Sequence, residues 1–118
     1  MTAEGLEELR AQGYAVYPGA LGENFTTSQI DRRRVRIGDR YQAGRAVIEI
    51  TRIRTPCSTL DIFNQPGLPR IQDAICDEQV KGGDAASPRW GLSGFYARVV
   101  KDGLVRTGDR ISLLDTLA

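Results

Sequence analysis

Histidine is absent from the 118-residue sequence, and cysteine and lysine are scarce. There are two cysteines, Cys57 and Cys76, and two lysines, Lys81 and Lys101. A chain without histidine and without a Cys-x-x-Cys pair lacks the ligand patterns of most zinc sites. A disulfide between the two cysteines is conceivable, but an intracellular protein favours two free thiols with independent roles. Both lysines lie in candidate turns, where a solvated charge is the simplest interpretation.

Long hydrophobic runs and an excess of one charge are also missing. No window approaches the ~18 consecutive apolar residues of a membrane span, and the N-terminus lacks the regions of a signal peptide. Sixteen basic residues stand against fifteen acidic ones, which leaves a formal charge of +1. So small a charge argues against a nucleic-acid or membrane surface. We therefore expect a cytoplasmic protein that binds neither nucleic acid nor a membrane.

The composition is otherwise that of an ordinary globular protein, with 41% hydrophobic and 26% charged residues. A chain of 118 residues has the usual size of one domain, so we predict a single domain over residues 1–118. A chain of this size and composition can form a packed hydrophobic core.

Hydrophobic patterns of period two between turn residues predict a mainly β domain. The strand-like segments are residues 14–17, 35–37, 47–53, 95–100, 104–105 and 110–114. Short strands joined by turns in this number are typical of a small barrel. Apolar spacing predicts helices over residues 2–12, with Thr2 as N-cap, and 68–79, while residues 57–63 form a further helix or an irregular turn. Asp102-Gly103, between apolar runs, indicates a hairpin.

A short motif occurs twice in the chain. Residues 35–40 and 105–110 share five of six positions, including a Gly-Asp-Arg end. We predict a recurrent turn in which glycine takes a conformation closed to other residues and aspartate accepts backbone N–H bonds. Two copies of a short motif do not establish a duplicated domain.

Cys57 is the residue best suited to reactive chemistry. It ends the segment Arg-Thr-Pro-Cys at residues 54–57, just after the longest strand-like run. Thiolate is the reactive form, and a nearby guanidinium lowers the pKa of a thiol. Strand alternation puts Arg52 and Arg54 on one face, so both are candidates for that guanidinium. The alternative is a small buried hydrophobe, which is the commoner role when local sequence alone is considered. Cys76 has acidic residues close by on both sides. Their negative charge disfavours a thiolate, and we assign Cys76 no catalytic role.

Two further groups of polar residues could bind a ligand. Gly22-Glu23-Asn24 offers a closely approachable backbone, a carboxylate and an amide, although such triplets mostly serve turns. Arg98 lies in a strand-like run on the same side as Tyr96, where it either reaches an anionic ligand or faces solvent.

Several motifs in one order resemble the MOSC family, the C-terminal domain of molybdenum cofactor sulfurases. They are residues 18–27 with Gly-Glu-Asn, 37–40, the Arg-Thr-Pro-Cys segment 54–57, 94–99 with Gly-Phe-Tyr-Ala-Arg-Val, Gly103 and 108–109. The resemblance extends from about residue 14 to residue 115. Order and spacing together make it far more specific than any single motif.

The resemblance implies a MOSC-type β-barrel with two or three short helices and a molybdenum cofactor. It implies that Cys57 is catalytic and ligates the metal or carries sulfur. The cofactor-binding residues that it implies are Gly22, Glu23, Asn24, Arg54, Thr55 and Arg98. Thiolate suits soft metal centres, and arginine forks with loop amides suit the cofactor phosphate. Pyridoxal phosphate belongs to a separate domain in the fused sulfurases, so none is expected in this chain, nor a Schiff-base lysine.

The family has two activities, sulfur transfer to the cofactor and cofactor-dependent reduction of N-hydroxylated compounds. The implied partners are therefore a separate electron-transfer protein or a cysteine desulfurase. Family members usually have further strands before the Gly-Glu-Asn loop, including a Gly-Asp-x-His segment. A barrel without those strands would have open edges, which another copy could cover, so a homodimer is one expectation. The alternative function is a non-catalytic β-barrel binding module derived from a MOSC domain.

Overall fold

The computed structural model describes residues 1–114, and its first element is the predicted N-terminal helix. Helix α1 spans Ala3–Ala11 and begins at Thr2, whose side chain accepts a hydrogen bond from the Gly5 N–H at 3.0 Å. Leu6 and Leu9, one turn apart, are both buried in the core. The predicted helix and its cap are therefore confirmed. None of the helices in this part of the chain combines the length and apolarity needed to cross a bilayer.

The fold contains one four-stranded antiparallel sheet. Its strands are β1 (Arg40–Ala43), β2 (Ala46–Ile53), β3 (Phe95–Lys101) and β4 (Ile111–Leu113), in the order β3-β2-β1-β4. Ala43 pairs with Ala46, so Gly44-Arg45 is a two-residue hairpin loop, and Gly44 has φ of +54°. The mainly β class is thus confirmed as a mainly antiparallel sheet with few helices.

The expected closed barrel is wrong for residues 1–114, because the sheet is open. In this range β3 pairs only with β2, and β4 pairs only with β1. Three of the predicted strands, over residues 14–17, 35–37 and 104–105, do not form. Positions 115–118 of the expected domain lie outside the described residues.

Backbone groups of the missing strands are bonded elsewhere. The Val35 carbonyl accepts a hydrogen bond from Trp90 Nε1 at 2.7 Å, and the Leu104 carbonyl accepts one from the Arg45 N–H at 3.1 Å. The predicted Asp-Gly hairpin is also wrong. After β3 the chain passes against the β1–β2 turn, where a side chain at Gly103 would collide with the Arg45 backbone.

The predicted helix over residues 68–79 is split in two. Helix α2 spans Ile71–Ile75 and helix α3 spans Glu78–Lys81. Between them Cys76 is extended, with φ of −150° and ψ of 123°. Asp77 then caps α3, because its carboxylate accepts a hydrogen bond from the Val80 N–H at 2.8 Å. Periodicity alone did not reveal this capping residue inside the segment.

An ion pair between a buried arginine and a partly exposed glutamate joins α1 to the segment that precedes the sheet. Arg32, in a short 3₁₀ turn, is 7% exposed at its side chain and donates to both Glu8 carboxylate oxygens, at 2.8 and 3.0 Å. Its remaining terminal nitrogen donates to the Trp90 carbonyl. Trp90 is itself fully buried. The pairing of all three nitrogens offsets the cost of burying the charge.

The repeated motif forms the predicted turn twice. Gly38 and Gly108 have φ of +94° and +92°. Asp39 and Asp109 each accept a bond from the backbone N–H three residues earlier, both at 2.8 Å. The two turns lead into β1 and β4, which pair with each other. The prediction of a recurrent glycine turn capped by aspartate is confirmed.

Candidate functional site

An open cleft of about 510 Å³ lies over the apolar face of the sheet. The apolar residues that line it from the strands are Tyr41, Ile48, Ile50, Phe95, Ala97, Val99 and Ile111. Polar residues enter from a loop and from the end of β2, namely Gly22, Glu23, Asn24 and Arg54. We call this space the Arg54 cleft. Four of the predicted cofactor-binding residues therefore lie in one cleft.

Arg54 has one satisfied and one unsatisfied terminal nitrogen. Nη2 donates to the Leu21 carbonyl at 2.6 Å. Nη1 is buried and has no hydrogen-bond partner among the described residues. The backbone of Arg54 is fixed on both sides, since its N–H donates to the Gly94 carbonyl at 3.1 Å and its carbonyl accepts from Ser93 Oγ. An unpaired buried donor costs about 1–3 kcal/mol, and a charged donor more, so this nitrogen fits an anionic ligand.

The Gly22-Glu23-Asn24 loop is held in place by its own carboxylate. Glu23 accepts hydrogen bonds from the Leu21 N–H at 3.2 Å and from the Thr26 hydroxyl at 3.1 Å. Gly22 has φ of +78°, a region that favours glycine, and a Cβ there would lie 3.9 Å from Arg54 Nη2. The Glu23 carboxylate is thus engaged in shaping the loop beside the guanidinium.

Cys57 has an exposed thiol at the start of the 3₁₀ helix Ser58–Phe63. Its Sγ lies 2.8 Å from the Thr59 hydroxyl. The hydrogen bonds from the Thr59 side chain and backbone lower the pKa of the thiol, and the charge of Arg54 lowers it further. The Cys57 carbonyl accepts from Gln72 Nε2 at 3.1 Å, which anchors the turn to the core.

Cys57 is nevertheless not among the residues that line the Arg54 cleft. Arg54 connects the two features, because its charge acts on the thiol while its guanidinium lies in the cleft. The other cysteine differs from Cys57 in its exposure and in the direction of its pKa shift. Cys76 is buried, and burial raises the pKa of its thiol.

Two of the predicted cofactor-binding residues lie outside the Arg54 cleft. Thr55 lines a neighbouring cleft together with Arg52. Arg98 donates to the Glu49 carboxylate at 2.8 Å, and Arg40 donates to the same carboxylate at 2.9 Å. Ala97 and Val99 line the Arg54 cleft, so by strand alternation Arg98 belongs to the opposite face of the sheet. A cofactor role for Arg98 stays a prediction.

Aromatic rings in the cleft were not recognised from the sequence. Phe25, Phe95 and Tyr96 all line it. The Tyr96 ring has two guanidinium groups near its face, with Arg52 Cζ 4.5 Å and Arg54 Cζ 5.9 Å from its centroid. Three aromatics next to predicted ligand residues were the only signal in the sequence, and they are equally compatible with an ordinary core.

A family model described as the MOSC domain matches residues 1–112. This chain belongs to the MOSC domain family. The matched range includes α1, so the family resemblance begins earlier than the residue-14 boundary that the motifs indicate.

Two protein relatives match most of this MOSC chain but are much longer. The uncharacterized protein YflK of Bacillus subtilis is 28% identical over 95 residues, which are 80% of this chain and 37% of YflK. A protein named "Reductase" from Gibberella moniliformis is 35% identical over 98 residues, which are 82% of this chain and 15% of that protein.

Solved structures support the MOSC fold over almost the whole chain. YiiM from Geobacillus stearothermophilus has a TM-score of 0.70 and 31% identity, and the match covers 97% of this chain and 52% of YiiM. YiiM from Escherichia coli has a TM-score of 0.64 at 21% identity, covering 99% of this chain and 53% of that one. The chain spans about half the length of these solved relatives.

Proposed function

We propose that this MOSC domain binds a molybdenum cofactor in the Arg54 cleft and works through the Cys57 thiolate. The reaction is sulfur transfer to the cofactor or reduction of N-hydroxylated compounds. One observation carries the proposal: Arg54 lines the cleft, and its Nη1 is buried without a hydrogen-bond partner among residues 1–114. A phosphate oxygen is the kind of acceptor that a guanidinium in this state requires.

The composition of the cleft fits the organic part of such a cofactor. Arg54 would hold the phosphate, and the Asn24 amide, which can donate and accept, would hold polar ring atoms. Phe25, Phe95 and Tyr96 offer flat apolar surfaces for a planar ring system. A volume of about 510 Å³ falls within the usual range for small-molecule sites.

The protein donors also limit how a metal is held. Among the described residues there is no group of three or more His, Cys, Asp or Glu side chains that could hold a metal ion. A metal held by residues 1–114 would therefore bring most of its ligands with it, and Cys57 would add one soft thiolate donor. When bound, the cofactor supplies the metal centre at which oxygen or sulfur is exchanged.

The residues of this chain prepare Cys57 for that role. Hydrogen bonds from Thr59 and the charge of Arg54 hold the pKa of the thiol below its ordinary value, so more thiolate is present near neutral pH. Gln72 fixes the Cys57 carbonyl and also donates to the Asp61 carboxylate at 2.8 Å. The turn that carries the thiol is thereby tied to helix α2.

Reduction is supported by the relative named "Reductase", which is 35% identical to this chain. Reduction of an N–O bond to N–H and water consumes electrons and protons, so a separate electron-transfer protein would supply the electrons. Sulfur transfer would need a cysteine desulfurase as the sulfur donor. We therefore propose one of these two proteins as the partner, and a cytoplasmic location for the reaction.

The second candidate is a non-catalytic binding module. It is favoured by the position of Cys57, which does not line the Arg54 cleft. A homodimer is also part of the proposal, because the open edges of β3 and β4 within residues 1–114 leave room for a second copy of the chain. A compact monomer in sedimentation analysis would contradict the homodimer.

The test compares Cys57→Ser with Cys76→Ser, which removes the other thiol. Both variants and the wild type are purified under reducing conditions from cofactor-replete cells, and molybdenum and pterin are measured per chain. The proposal predicts that wild type and Cys76→Ser retain molybdenum and that Cys57→Ser loses it. Equal molybdenum retention by Cys57→Ser and wild type would contradict the ligand role and favour the binding module.

A further inference from the structure

A second cleft of about 460 Å³ lies beside the Arg54 cleft. Tyr96 lines both spaces and is therefore their common wall. The volume of this second cleft is in the range of small-molecule sites. We call it the Arg52 cleft, after the guanidinium that lies 4.5 Å from the Tyr96 ring centroid. Nothing in the function proposed above uses this space.

The charge of the Arg52 cleft is of one sign. Its charged lining residues are Arg52 and Lys81, and the described lining includes no aspartate or glutamate. Arg52 is exposed, and no carboxylate of residues 1–114 forms a salt bridge with it. Lys81 pairs only with Glu78 at 3.2 Å, and Glu78 is 90% exposed at its side chain, so that pair is weak. Arg52 thus has no carboxylate partner among residues 1–114, and Lys81 has only an exposed one.

The Arg52 cleft also has apolar surface. Ile37, 48% exposed, and Tyr96, 43% exposed, offer the most open apolar surface, and Ile53 adds to it. Together these side chains offer an apolar wall for the body of a small ligand. The Arg52 fork, stacked on Tyr96, is already oriented by the ring and can bind a carboxylate through two nitrogens.

We propose that the Arg52 cleft binds a small aromatic carboxylate, with its ring against Ile37 and Tyr96 and its carboxylate on Arg52 and Lys81. The same charges repel a cation of equal shape, so the cleft selects acids over amidines. Since Tyr96 separates this ligand from the Arg54 cleft, the site is placed to hold a substrate next to the cofactor. The role of this ligand as a substrate rests on the function proposed above, whereas its binding does not, because binding needs no cofactor.

The test uses three probes of one shape: benzoate, benzamide and benzamidine are negative, neutral and positive. Each is titrated into the cofactor-free protein at low salt, and amide shifts are followed by NMR. Benzoate should move the signals of Thr55, Gly82 and Gly83 and the indole signal of Trp90, the sole tryptophan, in a saturable way. Benzamide should bind more weakly, benzamidine should not saturate, and added salt should weaken benzoate binding.

Two variants and two matched controls assign the site. Arg52→Gln and Lys81→Met should each weaken benzoate binding roughly fivefold, the scale of one partly solvated charge contact. Arg45→Gln, in the β1–β2 turn, and Lys101→Met, at the end of β3, should leave it unchanged. Equal binding of benzoate and benzamidine, or equal effects of the variants and their controls, would overturn the proposal. So would shifts confined to residues of the Arg54 cleft. Pterin retention measured separately keeps this outcome distinct from that of the proposed function.

Discussion

Arg54 donates to the carbonyl of Leu21 through Nη2 at 2.6 Å, which ties the end of β2 to the Gly-Glu-Asn loop. The N–H of Leu21 is held in turn by the Glu23 carboxylate at 3.2 Å. The backbone of Leu21 is thus hydrogen-bonded to two charged side chains that line the cleft. Because this contact uses only one terminal nitrogen, the buried Nη1 is left without a hydrogen-bond partner among residues 1–114.

Replacing Thr59 by valine should raise the pKa of the Cys57 thiol. The hydroxyl lies 2.8 Å from Sγ, and its hydrogen bond is the largest cause of the lowered pKa. The rate of alkylation measured against pH should therefore have its inflection at higher pH in Thr59→Val than in wild type. Cys76 should react later than Cys57 in both proteins, since burial raises the pKa of Cys76.

Thr55→Val is the matched control for this experiment. It makes the same isosteric change two residues before Cys57, and no hydrogen bond joins Thr55 to the thiol. Its alkylation profile should coincide with that of the wild type. An unchanged inflection in Thr59→Val, or an equal shift in Thr55→Val, would show that the Thr59 hydroxyl does not activate the thiol.

The pair of Glu8 and Arg32 should make part of the stability depend on pH. The hydrogen bond from Arg32 lowers the pKa of Glu8 in the folded protein, relative to about 4.3 for an unpaired glutamate. The unfolded state then binds the proton more tightly than the folded state. The stabilisation is fully present above the unfolded pKa and is lost as the pH falls through the folded pKa.

Urea unfolding between about pH 3 and pH 6 measures this contribution, since it spans the ordinary glutamate pKa. Glu8→Gln should reduce the rise of unfolding free energy with pH, and Arg32→Met should reduce it by a similar amount. The double variant should show no further reduction, because the two groups act through one interaction. A pH slope in Glu8→Gln equal to that of wild type would refute the contribution of this pair.

Gly38→Ala and Gly108→Ala should destabilise the protein equally. Both glycines have φ above +90°, and a Cβ at either would meet nothing within 4 Å, so the cost is conformational alone. We expect about 1 kcal/mol from each, by the penalty for the left-handed region. Thermal or urea unfolding measures it.

Gly82→Ala is the control for the two turn variants, because Gly82 has φ of −80°, which alanine adopts freely. It should cost less than either turn variant. Different costs at Gly38 and Gly108 would indicate that the two turns are not equivalent, despite their shared hydrogen bonds.

Local features of the fold were predictable because neighbouring residues determine them. The Thr2 cap, the Asp39 and Asp109 turns and the main run of β2 follow from side chains within a few positions. What could not be predicted depends on distant partners. The segment at Val35 reads as a strand, but its carbonyl is bonded by Trp90, 55 positions later in the chain.

The candidate site divides in the same way. The sequence motifs brought out Glu23 and Arg54, which the fold places in one cleft. They could not reveal that Arg98 pairs with Glu49, because that contact depends on the register of β2 against β3. Nor could they reveal that Tyr96 is the common wall of two clefts. The position of its ring beside two guanidinium groups is determined by tertiary packing.

Arg98→Gln is therefore the natural comparison for the central residue. Its guanidinium is paired with Glu49 on the opposite face of the sheet, so its loss should lower the melting temperature slightly and leave ligand binding intact. Loss of pterin in Arg98→Gln alone would support the cofactor role that the sequence resemblance implies for Arg98.

The central claim is that the free nitrogen of Arg54 holds the anionic part of the cofactor. The most direct measurement is the pterin content per chain of Arg54→Gln and Arg98→Gln, each purified from cofactor-replete cells and checked for folding by circular dichroism. The account predicts that folded Arg54→Gln loses the pterin while Arg98→Gln retains as much as wild type. Pterin content in folded Arg54→Gln equal to that of wild type would contradict it.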